Sequence, residues 1–100
     1  MVKIEIWQLK KDSPRDLHFA PWRWVEKFKL DVKKSNYHKV WETILDKDTY
    51  TERDFDGLFM KLQGIKPKDY HGHSLSVSDL IIANDDVFYI DSFGFKQIYI

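Results

Sequence analysis

Apolar and polar residues alternate strictly at the start of the chain. Val2, Ile4 and Ile6 stand between Lys3, Glu5 and Trp7, the period-2 signature of a strand with one buried face. The expected strand runs over residues 2–9. Asp12-Ser13-Pro14 then marks a turn, because proline fixes φ and offers no N–H to a ladder. In residues 20–29, Pro21 opens a helical turn, and Trp24, Val25 and Phe28 follow at i, i+1 and i+4. That spacing predicts a short helix with those three side chains on its buried face. Lys33-Lys34-Ser35-Asn36 is a polar break. Residues 37–45 place Tyr37, Val40, Trp41, Ile44 and Leu45 at spacings open to strand or helix, and their β-branched and aromatic content favours strand.

A second periodicity takes over in residues 51–63. Phe55, Leu58, Phe59 and Leu62 recur at i, i+3, i+4 and i+7, the stripe of an amphipathic helix. Thr51 is its N-cap, with Asp54 three residues on as the partner of a capping box. Gly64 and Pro67 end it. Beyond Pro67 the chain reads as β. Residues 78–83 hold Leu80, Ile81 and Ile82, Asn84-Asp85-Asp86 turns the chain, Val87-Phe88-Tyr89-Ile90 returns, and residues 95–100 supply a last strand. Short strands joined by tight turns imply an antiparallel meander. The expected architecture is α+β: a small antiparallel sheet of about five strands with two short helices, one before and one after the second strand, in a single domain over residues 1–100.

Composition supports that size. One hundred residues suit one domain, and 16% aromatic residues fill a core readily. The absence of cysteine removes disulfides and Cys-based zinc sites. No apolar run approaches the ~18 residues of a membrane span, and the alternating N-terminus is unlike a signal peptide, so the expectation is a soluble cytoplasmic protein with no membrane contact. The 16 basic and 16 acidic residues cancel, which argues against a generic nucleic-acid binder. They are not evenly spread. Residues 1–39 hold ten basic and five acidic side chains, and residues 40–100 hold six and eleven. Such a dipolar surface can steer a charged partner at zero net charge.

Candidate chemistry gathers in His71-Gly72-His73-Ser74-Leu75-Ser76-Val77-Ser78-Asp79, directly before the most apolar strand. One reading is structural: Ser76, Ser78 and Asp79 accept backbone N–H groups and build a tight turn. A second is a zinc site, because His71 and His73 share one side of an extended segment. Asp91 is the carboxylate candidate, with Asp69, Asp79 and His38 as further ligands. A third is a hydrolase using Ser74 or Ser76, but the chain has no G-x-S-x-G elbow and little room for a cleft. A fourth is a protein-binding surface made by His73, Ser74, Ser76 and Asp79 with Asp91 and Phe93. In Asp91-Ser92-Phe93-Gly94-Phe95, Gly94 permits a bulge or a close approach, and Phe93 or Phe95 enters the core.

Gly72-His73-Ser74-Leu75-Ser76-Val77-Ser78-Asp79, followed after a hairpin by Tyr89-Ile90-Asp91-Ser92-Phe93-Gly94-Phe95, resembles the YodL-like domain of Firmicutes and their mobile elements. Weaker matches lie at Ile4-Glu5-Ile6-Trp7-Gln8-Leu9, Arg15-Asp16-Leu17-His18-Phe19, Asn36-Tyr37 and the helix before Tyr70. His71 before Gly72 departs from the pattern, so a two-His metal site does not follow from it. The resemblance implies no enzymatic activity. It implies a small protein of a phage or mobile element that acts by binding another protein. The expected target is a host defence nuclease, as for an anti-CRISPR inhibitor, with the acidic part from residue 40 onward suited to a basic channel. The alternative it implies is a modulator of the actin-like cell-shape cytoskeleton.

Overall fold

The computed structural model describes residues 1–100. Five strands form one sheet: β1 (Val2–Leu9), β2 (Tyr37–Leu45), β3 (Leu80–Ala83), β4 (Asp86–Ile90) and β5 (Phe95–Ile98). Their order is β2-β1-β3-β4-β5 and every neighbouring pair is antiparallel. Two helices flank β2 in sequence, α1 (Trp22–Lys27) and α2 (Glu52–Lys61). This is the expected α+β fold. No helix is long and apolar enough to cross a membrane.

Period-2 alternation divides the sheet into two faces, and both are covered. On one face Val2, Ile4, Ile6, Ile81, Ala83, Phe88 and Ile90 meet Phe55, Leu58 and Leu62 of the α2 region. The stripe read from the sequence is therefore the packing stripe. The helix starts as expected: Asp54 Oδ2 accepts the Thr51 N–H at 2.9 Å, and Lys47 pairs with the same carboxylate at 2.7 Å. On the other face Leu9, Tyr37, Leu80, Tyr89 and Ile98 meet Leu17, Ala20 and Val25.

β2 carries a bulge. Ile6 pairs with Trp41 but Trp7 pairs with Lys39, leaving Val40 as an extra residue. An extra residue reverses which side the following positions face. Trp41 and Val40 both join the α2 side, while Tyr37, four residues from Trp41, joins the α1 side.

Two expectations need correcting. α1 buries Val25 and half-buries Trp22, but leaves Trp24 and Phe28 48% and 60% exposed. The helix is only six residues long and ends at Lys27, so Phe28 lies past its last turn, and Val25 is the one of the three that reaches the core. The strand expected from residue 78 begins at Leu80 instead. Ser78 donates its N–H to the Ile90 carbonyl, and Ile90 donates to the Asp79 carbonyl. Two residues thus oppose one, a bulge whose first residue, Ser78, has φ 81°, a conformation usually reserved for glycine.

Candidate functional site

The polar stretch 71–79 folds over the end of β1, where Gln8 continues the inward series Val2, Ile4, Ile6. Gln8 is buried and is the centre of a hydrogen-bonded network. Its Nε2 donates to the His73 carbonyl at 2.9 Å and to Asp79 Oδ2 at 3.0 Å, and its Oε1 accepts the His73 N–H at 3.1 Å. Tyr70 donates its hydroxyl to the same His73 carbonyl at 2.7 Å. Asp79 Oδ2 also accepts the Ser76 N–H at 2.9 Å. Gly72 is required by this approach: a Cβ there would lie 2.2 Å from Gln8 Oε1 and 3.0 Å from Val40. No buried side-chain nitrogen or oxygen in the molecule lacks a partner. Burial pushes the Asp79 carboxyl up to about 7, against the opposing pull of the Ser76 N–H, the nearby His73 and the Gln8 amide. The same desolvation holds the Tyr70 hydroxyl up at about 12 and raises those of Tyr37 and Tyr89 as well.

The second half of the arrangement reaches across to the α1 side. Ser78 Oγ accepts the Phe19 N–H at 3.0 Å. Tyr89 donates its hydroxyl to the Ala20 carbonyl at 2.5 Å, and Asp91 Oδ1 accepts the Trp22 N–H at 3.0 Å. Tyr37 donates to the Ser78 carbonyl at 2.7 Å, bracing the first of these contacts. Four residues, 19–22, are thus fastened at three backbone atoms by side chains from the entry to β3, from β4 and from the β4–β5 loop. The Trp22 contact satisfies an N–H at the start of α1 that Pro21, lacking a polar side chain, cannot cap. The fastening holds Phe19 at φ 60°, a left-handed conformation that costs a residue with a Cβ about 1–2 kcal/mol. Its ring is 65% exposed.

The sequence-derived candidates separate accordingly. Ser76, Ser78 and Asp79 build the turn, and Asp79 lies beneath the surface. Ser74 gives its carbonyl to His73 Nδ1 at 2.7 Å. Asp91 holds α1 and the Ser92 N–H. Phe93 is 93% exposed, and Phe95 is the one that packs on the core. Gly94 has φ 79° with open space where a Cβ would stand, so it serves the turn and not a close approach. His71 and His73 are exposed and share the rim of one cleft with His38, Lys10, Lys11 and Asp12. Asp69 accepts the indole N–H of Trp41 at 2.9 Å. No three His, Asp or Glu side chains converge closely enough to hold a metal ion. Neither the Ser74 nor the Ser76 hydroxyl is bonded to a histidine ring. The one contact between a serine hydroxyl and a histidine ring is Ser13 Oγ to His18 Nε2 at 2.8 Å. Ser13 donates to the Lys10 carbonyl at 2.5 Å, so the histidine nitrogen is its donor and not a base for its proton.

Sequence reasoning missed Gln8 and Ser13. Gln8 had a signal: it is a polar residue at the fourth even position of a strand whose other even positions are apolar. The two charge groups also find places. Asp46, Asp48, Glu52, Asp54 and Asp56 surround the start of α2, and the Tyr50 hydroxyl bonds Asp86, bringing the β3–β4 turn to the same acidic end. Around α1, Arg15, Arg23, Lys27 and Lys29 outnumber Asp16 and Glu26.

Fold and site together define a small α+β domain whose polar motifs fasten one segment, 19–22, onto the sheet. The chain matches the YodL-like domain family over residues 3–100, and it belongs to that family. No curated protein and no solved structure matches it.

Proposed function

We propose that this protein acts by binding another protein and catalyses no reaction itself. The observation that carries this reading is the fastened segment 19–22. Hydrogen bonds from three other elements keep Phe19 left-handed with its ring in solvent, and Trp24 and Phe28 stand exposed just beyond it. Strain held by outside contacts, with large aromatics left outside the core, suits a pre-organised docking surface. The polar residues of the two motifs, by contrast, are occupied in holding the fold.

The resemblance points to a cytoplasmic inhibitor carried by a phage or mobile element, with a host defence nuclease as its target, of the RNA-guided kind in the first instance. The acidic end formed by residues 46–56 with Asp85 and Asp86 is the part suited to the basic nucleic-acid channel of such an enzyme. The test is to titrate the purified protein into cleavage assays of the CRISPR and restriction nucleases of its host range. The expected result is a stable complex with one of them and loss of cleavage. Full cleavage by all of them, with no complex on gel filtration, rejects the defence-nuclease reading.

A further inference from the structure

We infer that the exposed aromatic surface around α1 is a docking site for an acidic protein segment that inserts one uncharged apolar side chain. The inference rests on the protein-binding reading and assigns that reading a surface and a partner chemistry. Asp16, Trp24, Phe28 and Leu30 line an open depression of about 380 Å³. Leu30 continues it into a second apolar groove against Val32, Ile98 and Ile100, so the apolar surface runs from α1 to the outer edge of the sheet.

Charge selects the partner. Arg15, Arg23, Lys27 and Lys29, all exposed, appear in no ion pair. Lys27 instead lies over the Phe28 ring, 5.4 Å from its centre. Against Asp16 and Glu26 of the same stretch these four cations leave a local positive excess beside the apolar depression, which attracts carboxylates to its margin. Asp16 is the depression's one acidic wall residue, and it keeps a carboxylate out of the depression itself. The group that enters is therefore apolar, and the acidic groups flank it. Lys29 at φ 50° closes α1 as Phe19 at φ 60° precedes it. Hydrogen bonds hold the backbone on both sides of the aromatics, at Phe19, Ala20 and Trp22 before α1 and from the Leu30 N–H to the Val25 carbonyl after it, which lowers the ordering cost of binding.

The test pans a displayed library of random 12-residue peptides against the full-length protein. The selected peptides are then synthesised and titrated, with a dT20 oligonucleotide titrated in parallel. Acidic peptides with a central Leu, Phe or Trp are the expected selection. Their affinity should fall at least tenfold for Trp24→Ser/Phe28→Ser and for Arg23→Glu/Lys27→Glu, and severalfold between 50 and 300 mM salt. Both double variants should keep the parent unfolding temperature within about 5 °C, which separates lost docking from lost folding. The inference is overturned if no peptide is enriched, if the enriched peptides carry no acidic excess, or if the variants bind them unchanged. Binding of dT20 that the same substitutions abolish overturns it in favour of a nucleic-acid surface. A dimer on sedimentation that they dissociate overturns it in favour of a second copy. A nuclease complex that survives both double variants sinks this surface and leaves the protein-binding reading standing.

Discussion

The two faces of the sheet are covered by different means. On the α2 side the cover is hydrophobic: Phe55 is fully buried, with its ring 4.8 Å from Phe88 and 5.4 Å from both Tyr50 and Phe95. Such clusters combine area burial with favourable edge-to-face and offset geometry. On the α1 side, α1 itself buries one side chain and the segment before it is tied down by polar contacts to Phe19, Ala20 and Trp22. Burial is non-directional and tolerates sliding, whereas three hydrogen bonds to successive backbone groups fix position and direction. The second kind of attachment leaves the attached segment's own aromatics free. Both layers bury apolar side chains, and the α1 layer adds polar clamps on the backbone of residues 19–22.

The sharpest way to break the first layer is Phe55→Ala, which removes the centre of the aromatic cluster. We expect a loss of about 3–5 kcal/mol in urea unfolding. An unchanged midpoint would show that α2 is not what holds that face.

The polar stretch between the layers gives a pH dependence. Asp79 holds its proton up to about pH 7 when folded, while an unfolded aspartate gives it up near pH 4. The folded state therefore binds the proton more tightly, and this group's contribution is complete below about pH 4 and is lost as the pH rises to about 7. Unfolding midpoints should fall across that window, and Asp79→Asn should flatten the slope. A parent profile that rises over the same range contradicts the assignment.

Gly72→Ala places a methyl against Gln8 and Val40 and should cost about 1–3 kcal/mol. Gly64→Ala, with open space around it, is the control expected to show no such loss. Asp91→Ala should cost about 1 kcal/mol, the value of a helix cap. It should also speed amide hydrogen exchange in α1 while leaving α2 protected, whereas uniform exchange through both helices would dissolve the distinction between the layers. Smallest of all, Trp24→Ser/Phe28→Ser should change stability by no more than about 0.5 kcal/mol per site. A large loss by calorimetry would mean that these aromatics belong to the fold.

What the sequence disclosed follows the same division. Val2-Ile4-Ile6 and Phe55-Leu58-Phe59-Leu62 have clean periods because burial against a continuous surface imposes them, and they read correctly. Trp24 and Phe28 misled because an aromatic pattern carries no mark of whether a surface is waiting for it. Ser78 and Asp91 were legible as turn residues, but not as clamps on Phe19 and Trp22, since contacts spanning 59 and 69 positions leave no local trace. Gln8 was legible in principle, as a polar intruder in an apolar series.

The bulge at Val40 governs how this domain can change its length. β2 runs from Trp41, which stands on the α2 side, to Tyr37, which braces Ser78 on the other. Deleting Val40 would leave a regular ladder in which the two stand three apart and still face opposite sides, so Tyr37 would stay beneath the Ser78 carbonyl while the α2 side lost one packed side chain. A single-residue deletion at this point of β2 is therefore absorbed by the ladder, whereas one elsewhere in the strand turns every residue beyond it to the other face.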